Sequence, residues 1–142
     1  MVIATRHDQH AALSARALRA GRHVFVEKPP ALDAAQLDDV LAAQRETGRI
    51  FTVGYNRRFA PLAAELAGLF AGRTGPLIIH YRVYAGPLPA DSWIYDPAVG
   101  GGRIVGEVCH FVDFCSFLAG ASPIAVMARA VGPSGGVRPD EN

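Results

Sequence analysis

Lys28 stands where an apolar run gives out. The segment His23 to Glu27 carries Val24, Phe25 and Val26 in succession and then breaks at Lys28-Pro29-Pro30, the pattern of a buried parallel strand reaching its carboxyl end. An ammonium at that edge can hydrogen-bond a substrate hydroxyl and take part in proton transfer. The Lys28-Pro29 bond has a weaker trans preference than other peptides, so a cis bond is open to it, and a rigid turn would aim the lysine into a cleft. A solvated lysine in a tight turn is the plainer reading of three residues taken alone.

A second constellation is Gly100-Gly101-Gly102 followed by Glu107 and His110, three apart and hence neighbours on one helix face, with Asp113 a further three on. An imidazole beside a carboxylate works as a general acid/base near neutral pH, which is the task set by removing an alcohol proton as hydride leaves its carbon. A buried histidine bonded to its neighbour would show the same spacing. The third set lies at strand ends: Thr5, His7, His10 and Asn56-Arg57-Arg58. These groups could bind a ribose and an amide and hold an anion in a bidentate fork. For His7 and Arg58 individually, helix capping and a solvated basic turn are the favoured reading.

Two other chemistries fit poorly. The glycines do not form G-x-G-x-x-G after a buried strand and no Walker-type Lys-Ser/Thr follows them, while Cys109, His110 and Cys115 lack the spacing of a structural zinc motif. No metal site is expected. Cys109 and Cys115 leave one helix in different directions, so two reduced thiols are expected instead of a disulfide.

The elements that must carry these residues alternate. Val2 to Thr5 reads as a strand, followed by a helix capped by Asp8 with Leu13, Ala17 and Ala20 on one side and Gly21 at its end. The strand His23 to Glu27 is expected to be covered on both faces. Asp33 and Gln36 form a capping-box-like pair, flanked by Leu32 and Leu37 as a hydrophobic staple, for a helix ending near Gly48. Ile50 to Val53 reads as a third strand, and a further helix carries Leu62, Leu66 and Leu69. This is the βαβ rhythm of a doubly wound sheet, whose ligands sit at carboxyl ends of strands. Beyond Gly75-Pro76, Leu77 to Ala85 has the composition of a longer strand, and a Gly/Pro loop from Gly86 to Gly102 holds Trp93. Arg103 to Leu118 reads as a helix with Ile104, Val108, Phe111, Cys115 and Leu118 on one face, Ile124 to Val131 as another strand, and Pro133 to Asn142 as a polar tail.

The 142 residues are 50% apolar and 19% charged with a net charge of +1, an ordinary globular balance that gives no electrostatic reason to expect nucleic acid. No apolar run approaches the roughly 20 residues needed to cross a bilayer, and no basic leader follows Met1. A cytoplasmic protein without a membrane partner is expected.

Taken in order, the segments Val2 to His10, His23 to Pro29, Val53 to Phe59 and Gly100 to His110 resemble successive signatures of the Gfo/Idh/MocA oxidoreductases. The resemblance covers nearly the whole chain and implies an α/β fold. Residues 1–72 would be the C-terminal half of a Rossmann doubly wound parallel sheet, and residues 73–142 the start of an α/β (α+β) substrate domain. It further implies NAD or NADP as cofactor, a small-molecule substrate of the sugar or polyol kind, and hydride transfer to or from a secondary alcohol. By position, Lys28 contacts the nicotinamide ribose and the substrate hydroxyl, and His110 is the acid/base with Glu107 beside it. Thr5, His10, Glu27, Pro29, Asn56 and Arg57 fall on the cofactor side. Tyr55, Trp93 and Asp96 are expected at the substrate, since a tryptophan in a Gly/Pro loop can stack on a sugar ring.

Two departures accompany the likeness. Gly106 stands where many members have an aspartate, with Glu107 adjacent, an arrangement similar to the branch in which this module is fused behind a zinc-type alcohol dehydrogenase. No glycine-rich fingerprint is present, and the first strand corresponds to about the fourth of a Rossmann sheet. An internal piece, inactive alone, of a protein that is homo-oligomeric at full length is therefore expected. The other class compatible with these residues is a non-catalytic regulator of the same fold that binds dinucleotide or sugar.

Overall fold

Val2–Ile3 (β1), Val24–Val26 (β2) and Phe51–Val53 (β3) pair as a parallel sheet in the order β1-β2-β3. The register sets Ile3 opposite Val26 and Val26 opposite Val53. Main-chain bonds from Glu27 to Ile3 (2.8 Å) and from Gly54 to Val26 (2.8 Å) carry the ladder to the carboxyl ends, which brings the turns after all three strands to one edge. The computed structural model describes residues 1–129. They fall into two units, one of Met1–Gly54 with Pro89–Cys109, the other of Tyr55–Leu88 with the chain from His110 onward.

In the first unit each of β1 and β2 feeds a helix, α1 (His7–Arg19) and α2 (Ala34–Thr47). Ile3, Val24 and Val26 form the core with Ala11, Ala15 and Leu18 of α1 and Val40 and Ala43 of α2. Both helices thus use the same face of the sheet. Phe25, on the other face, is 40% exposed, so β2 alternates and is not covered on both sides as its unbroken apolar run suggested. The expected cap at α2 is present with one change: the Asp33 carboxylate accepts from the Gln36 amide (2.8 Å), while Gln36 reaches back to the amide of Leu32 (3.1 Å). Gly48 ends the helix at φ 62°, and Gly21 follows α1 at φ 74°, both in the left-handed region that glycine enters without a Cβ penalty.

At α1 the expected cap is corrected. Arg6 occupies the N-cap without a side-chain bond and Asp8 lies inside the first turn, where its charge favours the helix dipole. The main-chain amide of Asp8 is satisfied by the Val99 carbonyl at 3.1 Å. That bond ties the glycine-rich loop to the helix start. The loop contains a 3₁₀ turn, Trp93–Tyr95, and leads into a π turn, Ile104–Val108.

The second unit holds a 3₁₀ turn at Asn56–Phe59, α3 (Pro61–Phe70) opened by Pro61, and α4 (Cys109–Ala119). Tyr81 stacks on Phe111 at 5.3 Å between ring centroids. The helix expected over Arg103–Leu118 is therefore a π turn followed by an α-helix. The wider π turn shifts the phase of the side chains, which leaves Ile104 and Val108 exposed while Leu118 is buried. Leu77 to Ala85 and residues 124–129 do not form strands. β propensity needs a ladder partner to act on, and no described segment pairs with either run. The end of the second run and the tail from Pro133 lie outside the described residues.

The burial pattern separates two leucines. Leu18→Ala, at a fully buried position, is expected to cost about 2–5 kcal/mol of unfolding free energy, and Leu62→Ala, at an exposed one, under about 0.5 kcal/mol. Urea unfolding measures both, and equal costs would contradict this core.

Candidate active site

The turn after β2 is held from below. The Lys28-Pro29 bond is cis, and the buried Pro29 offers its carbonyl to Nδ1 of His10 at 2.8 Å, while Nε2 of the same ring faces the Thr5 carbonyl at 3.1 Å. A neutral imidazole has one N–H and donates to one of these at a time. His10 is 1% exposed. It joins the ends of β1 and β2 through main-chain atoms, so any service to a cofactor would run through Thr5 and the Lys28 turn. The Thr5 hydroxyl is exposed and donates to the Arg6 carbonyl at 3.3 Å. Glu27 accepts from the Lys28 amide at 3.3 Å and lies so close to Gly54 that a Cβ there would stand 3.1 Å from its carboxylate oxygens.

Above this turn, Lys28 Nζ donates to the Gly106 carbonyl at 2.8 Å. Lys28 is half-buried and is the only lysine in the chain, every other cation among the 14 Lys and Arg residues being arginine. His7, read from sequence as an ordinary helix-start residue, is buried and bonded through Nδ1 to the Gly100 carbonyl at 2.8 Å. Trp93 packs on it edge to face with ring centroids 4.8 Å apart, and the Arg6 guanidinium lies 5.4 Å from the centroid of the same indole. Burial pushes His7 below its ordinary pKa; the Gly100 bond opposes this, and the Lys28 charge adds to it. Trp93 thus meets protein on one side. Asp96 shapes the loop: its carboxylate accepts from the Ala98 amide at 2.9 Å and its carbonyl from Gly100 at 2.8 Å. Glu107, expected beside His110, receives the buried Arg103 guanidinium at 3.2 Å.

In the second unit, Tyr55 and His110 meet edge to face with centroids 6.1 Å apart. Asn56 opens the turn that follows Tyr55. Arg57 donates to the Tyr81 hydroxyl at 3.2 Å and covers the Phe111 ring at 4.9 Å. Arg58 is not a solvated turn residue. Its guanidinium grips the Asp113 carboxylate in a two-point fork, which raises its pKa above the ordinary value. Sequence spacing missed both His7 and this pair, because each depends on a partner more than fifty residues away. Among the described residues no group of three His, Cys, Asp or Glu could hold a metal, Cys109 and Cys115 are not joined in a disulfide, and no helix is long and apolar enough to cross a membrane.

Known proteins supply the class. Residues 1–55 match the profile of the Gfo/Idh/MocA oxidoreductase family, NAD-binding Rossmann fold. Inositol 2-dehydrogenase of Rhizobium meliloti is 34% identical over 132 residues, 92% of this chain and 39% of the relative. An oxidoreductase domain protein from Kribbella flavida has a TM-score of 0.71 at 30% identity, covering 84% of this chain and 34% of that one. Levoglucosan dehydrogenase, solved with NADH and levoglucosan, shares the fold at a TM-score of 0.68 and 24% identity over 84% of this chain and 34% of its own. The chain belongs to the Gfo/Idh/MocA family and has its α/β fold. It spans about two fifths of the length of the curated relative from Rhizobium meliloti.

The depressed His7 sets a pH dependence. The folded state keeps the ring neutral, whereas the unfolded chain takes up a proton in the ordinary imidazole range. His7's contribution is therefore fully present above that range and is lost as pH falls through it toward the lower folded value. Urea unfolding from neutral to mildly acid pH is expected to weaken the wild type more than His7→Asn. Parallel curves would contradict the assignment.

Proposed function

We propose that the full-length protein transfers hydride between NAD(P) and a secondary alcohol of a sugar, polyol or related hydroxy compound, with Lys28 on the substrate hydroxyl and His110 as acid/base. The observation that carries this reading is the Lys28 ammonium, half-buried at the carboxyl end of a parallel strand and bonded to a neutral carbonyl at 2.8 Å. One of its three donors is engaged there, and two are free in number for a hydroxyl and a ribose. The single lysine among arginines adds weight, since an ammonium is a compact charge able to release a proton and a guanidinium is not.

Thr5, Glu27, Lys28 and Pro29 share the carboxyl edge of the sheet, the side on which open α/β sheets bind ligands. Their hydroxyl, carboxylate and ammonium match the ribose and amide of a nicotinamide nucleoside. The cofactor when bound supplies the hydride acceptor or donor. Among the described residues, neither strand-to-helix turn offers the glycine-rich cradle of amides that a pyrophosphate takes, so the fit is to the nicotinamide end. In this reading Lys28 orients the hydroxyl and His110 accepts its proton, with Tyr55 packed on the imidazole. Residues 1–72 would be the cofactor domain's second half and 73–142 the opening of the substrate domain. The relatives add support, one being an inositol 2-dehydrogenase and another solved with NADH and levoglucosan.

The test is reduced-nicotinamide absorbance on the full-length protein with a panel of polyols. Lys28→Ala and His110→Ala are each expected to lower kcat by about 10²–10⁴-fold with cofactor affinity nearly unchanged. Near-normal turnover in either variant removes that residue from the mechanism. Ligand binding without turnover in the wild type would instead favour a regulator of the same fold.

A further inference from the structure

The carbonyl that holds Lys28 has to be kept in place by something, and its neighbours form one continuous chain of contacts. Gly106 is buried in the π turn. A Cβ added to it would stand 3.0 Å from Cε1 and 3.5 Å from Nδ1 of His7. His7 is itself confined. Its Nδ1–H is bonded to the Gly100 carbonyl at 2.8 Å, and the Trp93 indole packs against it edge to face with ring centroids 4.8 Å apart. Gly100 in turn lies directly against backbone: an added Cβ would fall 2.3 Å from the Ile94 Cα and 2.4 Å from its carbonyl oxygen. Backbone therefore backs the imidazole, the imidazole backs Gly106, and Gly106 holds the ammonium.

We propose that His7 is a positioning residue for Lys28, its ring filling the space over Gly106 and so fixing the height of the carbonyl on which the ammonium rests. The proposal rests on the reading of Lys28 as a substrate contact. It also gives position 106 a stated requirement. A side chain there and an imidazole at position 7 compete for one volume, so glycine at 106 and histidine at 7 form a matched pair. The ammonium's partner at that point is a neutral main-chain oxygen, which fixes its position without a carboxylate.

The sole lysine makes the test direct. Acylation by an amine-reactive acetylating reagent, followed by peptide mapping to separate the N-terminal amine, reads the accessibility of Lys28 alone in the full chain. His7→Ala is expected to raise the Lys28 rate about 5- to 10-fold, the equilibrium worth of one net hydrogen bond. Gly106→Ala is expected to raise it similarly, because its Cβ meets the ring. The double variant His7→Ala/Gly106→Ala is expected to return toward the wild-type rate, since the smaller residue at 7 makes room for the methyl. Additive effects in that cycle would mean general loosening and overturn the proposal, as would an unchanged rate in His7→Ala. Should His7→Ala fail to fold, His7→Asn keeps a donor for Gly100 but lacks the ring edge over Gly106; a raised rate there supports the proposal and an unchanged one overturns it. Labelling needs no substrate, so its outcome is independent of turnover. Unchanged labelling removes the role of His7 and leaves that of Lys28, whereas normal turnover in Lys28→Ala removes the catalytic reading whatever labelling gives.

Discussion

The hydrogen bond from the Lys28 ammonium to the Gly106 carbonyl spans 78 residues of sequence and ties the turn after β2 to the π turn. An ammonium on a four-carbon stem is strongly hydrated and mobile, and a defined position for it requires an acceptor that does not move. Main chain supplies that acceptor. Because the acceptor is backbone, the constraint falls on the packing around Gly106, where the glycine leaves room for the His7 ring at near-contact distance.

The same logic recurs below the lysine. The His10 ring sits between the Thr5 carbonyl after β1 and the Pro29 carbonyl of the turn after β2, and the Asp8 amide donates to the Val99 carbonyl. In each case a strand-end loop is fastened through backbone atoms, without drawing on the side chains of Thr5 and Lys28 that are proposed to meet a ligand. Buried main-chain groups must find partners in any case. Here those partners also decide where the chemistry-bearing side chains sit. The second unit uses a different device, charge and aromatic faces: Arg57 and Arg58, consecutive on one turn, engage Phe111 and Asp113 on the helix that carries His110.

Much of the architecture was legible in the sequence because it depends on local pattern. The strand runs ending at Thr5, Lys28 and Tyr55, the Asp33 cap and the glycines at 21 and 48 all speak within a few residues, and the βαβ sheet follows from them. The one-sided burial of Phe25 was not legible, since three consecutive apolar residues cannot say which faces helices will cover. The π turn was hidden because a helical period does not reveal where an extra residue per turn will enter. It moved Ile104 and Val108 outward. The runs at 77–85 and 124–129 have strand composition without a described partner strand. At the site, Lys28 and the glycine triplet were visible as types and spacing. His7, Arg58 and the Arg103 partner of Glu107 were not read correctly, since each gains meaning only from a contact made by the fold.

Contact between Lys28 and the substrate is the deciding point. With a single lysine in the chain, ¹⁵N-lysine labelling gives one side-chain signal from this segment, and full-length protein saturated with NAD(P) can be titrated with a polyol that it turns over. A saturable shift of the Lys28 signal, with the concentration dependence of the kinetics, is the expected result. A Lys28 signal that stays fixed while the polyol binds and reacts would contradict the central claim.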